Sequence, residues 1–344
     1  MSAVKPSCRI VSSDYLDRDV YLNICGFYEA AGFRLIEAAG DPDLLVVLRG
    51  DNGSADQGFA GPIHLYDYVR EYRVDWARRY PAARSIALIS LEQPPRAPTD
   101  PRLRHVRAYL PVIPELWTCP SPARRGGPVH VSNYKRMPGD PFQEQLLALI
   151  RSGRVRVHGG RWELVGVRAR PLSYRQANRL IAASSSCFGL MWPYQRGTTL
   201  SGRMWQAPLN GCFVFSEPGT DLLGCPGVLE RPRFDADTAS LAFPPERGAA
   251  LAREAAAFWR SHTEAIASAL GLELTIDPDG ASIRRLRRQL LLWDLEFRVQ
   301  QLQAGLAAWF SPPLAVLRRS LARLARALGV HPRQLKDRRR GPHQ

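Results

Sequence analysis

Two stretches of the chain, Leu44-Leu45-Val46-Val47-Leu48 and Ser85-Ile86-Ala87-Leu88-Ile89-Ser90-Leu91, are strand-like yet show no alternation of apolar and polar residues. A strand with one wet face alternates with a period of two, so these runs predict strands covered on both faces. Parallel strands meet that demand, because each connection must cross over the sheet and a helix usually makes the crossing. The chain supplies such a helix. After an apolar opening at Cys8-Arg9-Ile10-Val11-Ser12-Ser13-Asp14, the residues Val20, Ile24, Phe27 and Ala31 recur at helical spacing.

The pattern starts again after Pro120-Ser121-Pro122-Ala123-Arg124-Arg125-Gly126-Gly127-Pro128, which reads as a linker. Strands are expected at 128–132, 154–158, 187–191 and 212–216, and helices at 141–151, 174–183 and 201–209. At 344 residues and 45% hydrophobic composition the chain can build more than one core. Two successive strand–helix series predict an α/β protein of two Rossmann-like domains facing a cleft, followed by C-terminal helices. The expected boundaries are 1–124, 125–280 and 281–344. In open parallel sheets ligands bind beyond the carboxyl ends of the strands, so the loops there carry the chemistry.

The C-terminal part differs in character. Residues 249–270 form the longest helical candidate, and 283–308 another, which is expected to break at Ser311-Pro312-Pro313 before a helix over 314–328. There Leu317, Leu321, Leu324 and Leu328 form a stripe beside Arg318, Arg319, Arg323 and Arg326, the pattern of a basic amphipathic helix. Residues 281–344 hold fourteen Lys/Arg against Asp294, Glu296 and Asp337, so +11 of the formal +15 lies in the tail. The body is nearly balanced, which says little for nucleic acid as its partner and leaves an anionic membrane surface as a partner for the tail. The six cysteines form no CxxC pair or Cys/His cluster, and no apolar run reaches the roughly 20 residues of a membrane span. A reduced, cytoplasmic protein, peripheral at the inner face of the membrane, is the expected setting.

Three segments carry the chemistry. Pro128-Val129-His130-Val131-Ser132-Asn133-Tyr134-Lys135-Arg136 is a strand emptying into a polar, basic loop. Arg154-Val155-Arg156-Val157-His158-Gly159-Gly160 is a strand ending in a glycine turn. Thr199-Leu200-Ser201-Gly202-Arg203-Met204-Trp205-Gln206 opens a helix, and the strand after it ends on Glu217. Together they resemble glycosyltransferases of the GT-B fold, particularly the spore-maturation type, and more distantly the α1,3-fucosyltransferases, over roughly residues 85–230. The resemblance implies a glycosyltransferase that moves a sugar from a nucleotide-sugar donor to a glycan, lipid-linked or other acceptor. It implies inversion at the anomeric carbon and no cofactor or metal. The chain departs from the family pattern at Gly202 and Gln206, where related enzymes often carry acids.

A departing nucleoside diphosphate needs positive charge and N–H donors where negative charge grows. Thr198, Thr199, Ser201, Gly202 and Arg203 are the expected diphosphate cradle, with Ser132, Asn133, Lys135, Arg136 and Arg196 as further phosphate contacts. Tyr194 is expected on the donor base, His158 and Gly159 beside the donor, and Glu217 on sugar or ribose hydroxyls. The acceptor hydroxyl needs a base, for which Glu92 is the first candidate and Asp14 the second. The rival readings are a nucleic-acid-binding protein, on the strength of the charge, and a catalytically inactive GT-B-like recognition module.

Overall fold

A computed structural model of the chain describes residues 5–12, 18–36, 41–48, 57–68, 75–92, 99–119, 126–241, 243–275 and 280–327, and for 305–327 the backbone alone. Asp14 and the boundary at 124/125 lie outside these residues. Residues 1–290 form one compact unit and 291–344 a second.

The first unit contains both sheets. The first is built from β1 (Ser7–Ser12), β2 (Arg34–Leu35), β3 (Leu44–Leu48), β4 (Pro62–Tyr66), β5 (Ser85–Ser90) and β6 (Leu103–Arg107), with helices α1 (Arg18–Ala30), α2 (Trp76–Arg79) and α3 (Pro114–Trp117). Its order is β2-β1-β3-β4-β5-β6, and every pair is parallel. The unalternated Leu44–Leu48 run is buried at all five positions, as two-sided cover requires. Sequence reasoning missed β4, β6 and the two-residue β2. His64 interrupts the apolar run of β4, and β6 reads Leu-Arg-His-Val-Arg, a charged edge strand that blunts pairing with other chains.

The second sheet comprises β7 (Val129–Val131), β8 (Arg156–His158), β9 (Ser186–Phe188), β10 (Phe213–Ser216) and β11 (Val228–Glu230). Its order is β11-β10-β9-β7-β8, again parallel throughout. Helices α4 (Pro141–Arg151), α5 (Tyr174–Ala182), α6 (Arg203–Leu209) and α7 (Ala236–Ser240) accompany it. Asp140 caps α4 by accepting from the Gln143 amide, with Pro141 at the first helical position, and Ser173 with Gln176 makes a full capping box on α5. Leu146 and Leu149 of α4 cover one face of the sheet over Val157, Phe188 and Phe215. Ala177 and Ile181 of α5, with Ala207 of α6, cover the other over Val129, Cys187 and Val214.

The two halves are joined through α6. Trp205 meets Trp117 edge to face with ring centroids 5.2 Å apart. The Tyr109 hydroxyl donates to the Leu200 carbonyl at 3.1 Å, the Thr199 hydroxyl donates to the Tyr68 carbonyl, and Asn210 bonds both the Cys119 amide and the Trp117 carbonyl. Helix α8 (Pro245–Leu270) adds Thr263, whose hydroxyl bonds the Val112 main chain, and it ends on Gly271 in the left-handed conformation.

Helix α9 spans Ala281–Ala327 without interruption, so the expected break at Ser311-Pro312-Pro313 is absent. Each interior proline costs a helix about 3 kcal/mol. Leu, Ala, Gln and Arg, all strong helix formers, dominate the flanks. In the second unit Leu292, Leu295, Val299 and Leu302 are exposed, at 58, 57, 51 and 67%. Among the described residues no helix is long and apolar enough to cross a membrane. All six cysteines are free thiols, and only Cys119 is not fully buried.

Candidate active site

In the second sheet the strand order reverses between β7 and β9, the topological switch point at which open parallel sheets bind ligands. The chain leaves β7 at Ser132 and β9 at Leu190 and Met191, and all three residues line a cleft of about 280 Å³. Lys135, Thr199, Leu200, Ser201, Gly202 and Arg203 line it from the same half of the chain, and Asp19, Val20, Tyr68 and Tyr109 from the other. Six of the expected donor residues, Ser132, Lys135, Thr199, Ser201, Gly202 and Arg203, are thus brought together.

Arg203 is fixed on two sides. Its Nε donates to the Val131 carbonyl at 2.9 Å, and a terminal nitrogen donates to Gln206 Oε1. Gln206 in turn donates from Nε2 to Asp19 Oδ2 at 2.9 Å. A cation from one half of the chain and a carboxylate from the other therefore meet through one buried amide. Lys135 lies over the Trp192 ring at 5.6 Å from its centre, which holds a second cation at the cleft wall.

Of the backbone donors near the start of α6, four are engaged within the helix itself. The amides of Arg203, Met204, Trp205 and Gln206 are bonded within the turn to Ser201 or Gly202. The first turn of this seven-residue helix thus satisfies those four amides itself.

His130 lies inside β7 and lines the cleft. Its Nδ1 sits 2.7 Å from the Phe188 carbonyl, which only accepts, so the proton is on Nδ1 and Nε2 is left as an acceptor. Burial, with Arg203 and Lys135 adding like charge, pulls its pKa down to about 4. The ring is therefore neutral near pH 7.

Other expected residues are placed elsewhere. Glu217 is fully buried at the end of β10, where Oε1 accepts from the Met191 amide and from Arg196, both at 3.0 Å. Burial raises its pKa, and Oε2 has no hydrogen-bond partner among the described residues. Arg196 also meets Asp140 at 2.7 Å, so it clamps two carboxylates and is absent from the cleft lining. Thr198 caps back onto the Gln195 carbonyl, Asn133 accepts from the Gly160 amide, and Arg136 is exposed away from the cleft lining. Tyr194 is 53% exposed and stacks on Trp192. His158 is half-buried outside the cleft lining, its pKa lowered first by burial and then by Arg156 and Arg170. Gly159 does allow a close approach, but to the main chain of Ser132. Glu92 follows β5 and is absent from the cleft lining.

Sequence reasoning missed Asp19, Tyr68, Tyr109, His130 and the part played by Gln206. Asp19 carried a signal, an acid directly ahead of the apolar-periodic residues of α1, where it also favours the helix dipole. His130 read only as a strand residue, and Tyr68 and Tyr109 follow strands that were unseen.

No protein-family model matches the chain, and no curated protein matches it in sequence. Solved structures do resemble it. AviGT4, a glycosyltransferase involved in avilamycin A biosynthesis, is 12% identical over 83% of this chain and 98% of its own, with a TM-score of 0.44. The DNA-modifying β-glucosyltransferase, solved with and without uridine diphosphoglucose, is 10% identical over 85% and 98%, at 0.43. The glycosyltransferase SnogD from Streptomyces nogalater is 14% identical over 84% and 99%, at 0.37. At such values no residue of one chain is assigned to a residue of another, and the functional reading rests on the cleft itself.

Proposed function

We propose that this chain is a nucleotide-sugar-dependent glycosyltransferase that passes a sugar to a hydroxyl of a glycan, lipid-linked or other acceptor, with inversion and without a metal ion. The observation that carries the reading is the cleft at the switch point, lined by Arg203 and Lys135 from one half of the chain and by Asp19 from the other. Arg203 offers a planar fork suited to a diphosphate, and Lys135 a point charge, so both stabilise the negative charge that grows as the bond from anomeric carbon to phosphate oxygen breaks. Asp19 takes the acceptor hydroxyl proton as that oxygen attacks the opposite face of the anomeric carbon. Among the described residues, Asp19 is the carboxylate that lines the cleft. His130, neutral with Nε2 as acceptor, suits a sugar or ribose hydroxyl. The resemblance to the spore-maturation type of GT-B enzyme belongs to this proposal, as does contact of the C-terminal tail with an anionic membrane surface.

The test is a thermal-shift screen of UDP, GDP, CMP, ADP and dTDP with their sugars. A ligand at 100 times its dissociation constant stabilises the folded state by about 2.7 kcal/mol, a readable rise. One nucleotide is expected to raise the melting temperature, and Arg203→Ala to abolish that rise while remaining folded. No rise with any nucleotide, with DNA or RNA giving one instead, would overturn the proposal in favour of nucleic-acid binding. Binding without turnover across acceptors would favour a recognition module.

A further inference from the structure

Gln206 is 2% exposed and spans the two halves of the cleft with both ends of its amide engaged. Its oxygen accepts from the Arg203 guanidinium and its nitrogen donates to the Asp19 carboxylate. A carboxamide offers an acceptor to a cation and donors to an anion from a single planar unit. Its main chain is held as well, by the Gly202 carbonyl at 3.0 Å and by Asn210 Nδ2 at 2.8 Å, so the amide is aimed by the helix. One turn earlier Gly202 lacks a side chain, and a Cβ built there would stand 3.5 Å from Asp19 Oδ2. Positions 202 and 206 thus form a seat for a carboxylate that arrives from α1.

We propose that Gln206 is the positioning residue that couples the two halves of the reaction, setting the orientation of Arg203 for the leaving diphosphate and of Asp19 for the acceptor hydroxyl. This rests on the glycosyltransferase reading. An acid at 202 or 206 would place like charge against Asp19. The acid is supplied from the other half of the chain.

The link is tested on the full-length chain in two ways. Without ligand, urea unfolding is measured for Gln206→Glu, Asp19→Asn and the two combined. Gln206→Glu sets two carboxylates together and is expected to lose stability. Asp19→Asn in the same chain converts the pair to amide and carboxylate, and is expected to recover at least fivefold in the unfolding equilibrium constant. Simple addition of the two effects would overturn the coupling. With ligand, inorganic pyrophosphate and UDP are titrated calorimetrically against wild type and Gln206→Leu, which keeps the bulk and removes both hydrogen bonds. A five- to tenfold loss of affinity for both probes, with uridine binding unchanged, is expected. Unchanged affinity in a folded Gln206→Leu would overturn the role toward Arg203. If wild type binds neither probe, and none of the screened nucleotides either, the donor reading falls, and the unfolding cycle alone decides the link between Asp19 and Gln206.

Discussion

Replacing Gly159 by alanine is expected to damage the cleft from outside it. Gly159 has φ of +142°, a conformation that L-residues rarely adopt, and a Cβ there would lie 2.0 Å from the Ser132 carbonyl oxygen and 2.5 Å from its carbon. Both neighbours are backbone, so they must move by about 1 Å or more to reach contact distance. The Ser132 carbonyl also accepts from the Trp162 indole at 2.8 Å, and the Ser132 amide donates to the His158 carbonyl at 2.9 Å. The backbone conformation alone costs about 1–3 kcal/mol, and loss of one such hydrogen bond about 1 kcal/mol more. A total near 3 kcal/mol corresponds to a fall in melting temperature of roughly 5 °C. Because Ser132 lines the cleft and the preceding carbonyl holds Arg203, the same shift should weaken diphosphate binding. Gly160→Ala is the control, since its Cβ would meet only the end of the Asn133 side chain at 3.3 Å. Calorimetry of both variants reads the difference. A Gly159→Ala protein that melts within 1–2 °C of wild type, roughly 1 kcal/mol or less by the same scaling, would refute the reasoning.

Two more expectations concern acidity and the tail. Burial holds His64, His130 and His262 neutral, each at about 4 against an ordinary 6.5. Below about 6.5 the unfolded chain takes up protons that the folded chain refuses until about 4, so stability is full above that window and falls as pH drops through it. Each group contributes roughly 2 kcal/mol of loss by pH 5, and equal melting temperatures at pH 7 and pH 5 would contradict the assignment. For the tail, the full chain should float with vesicles containing phosphatidylserine at low salt. Leu295→Glu with Leu302→Glu, placed on the exposed apolar face, should reduce flotation severalfold, and high salt should reduce it further. Flotation that neither change affects would remove the membrane surface as the tail's partner.

How much of this was legible in the sequence follows from what the signals are. The unalternated Leu44–Leu48 run and the helical spacing over 141–151 and 174–183 are local signals, and the strand and the two helices lie where they predict them. Strands such as Leu103–Arg107 are set by position at a sheet edge, which no local pattern reveals. The arginine at 203 was legible because a cation beyond a strand, at the start of a helix, is a local arrangement. Asp19 was not, since its meaning depends on Gln206, 187 positions away in sequence. Glu217 shows the converse. A strand end delivers it, but Arg196 and the Met191 amide engage its carboxylate, and it is absent from the cleft lining.

Helix α6 belongs by sequence to the second sheet and is tied by Trp205, Asn210 and Gln206 to Trp117, Cys119 and Asp19 of the first. The two halves are therefore not interchangeable cassettes. A chimera that took the half with the second sheet from one relative and the half with the first sheet from another would have to carry α3 and the start of α1 along with α6. Otherwise a tryptophan would lose its ring partner and an arginine its bearing. Drift in one half of such a chain is answerable to the other, and pairs of changes across the cleft, at 19 with 206 or at 117 with 205, are the ones a lineage could accept together.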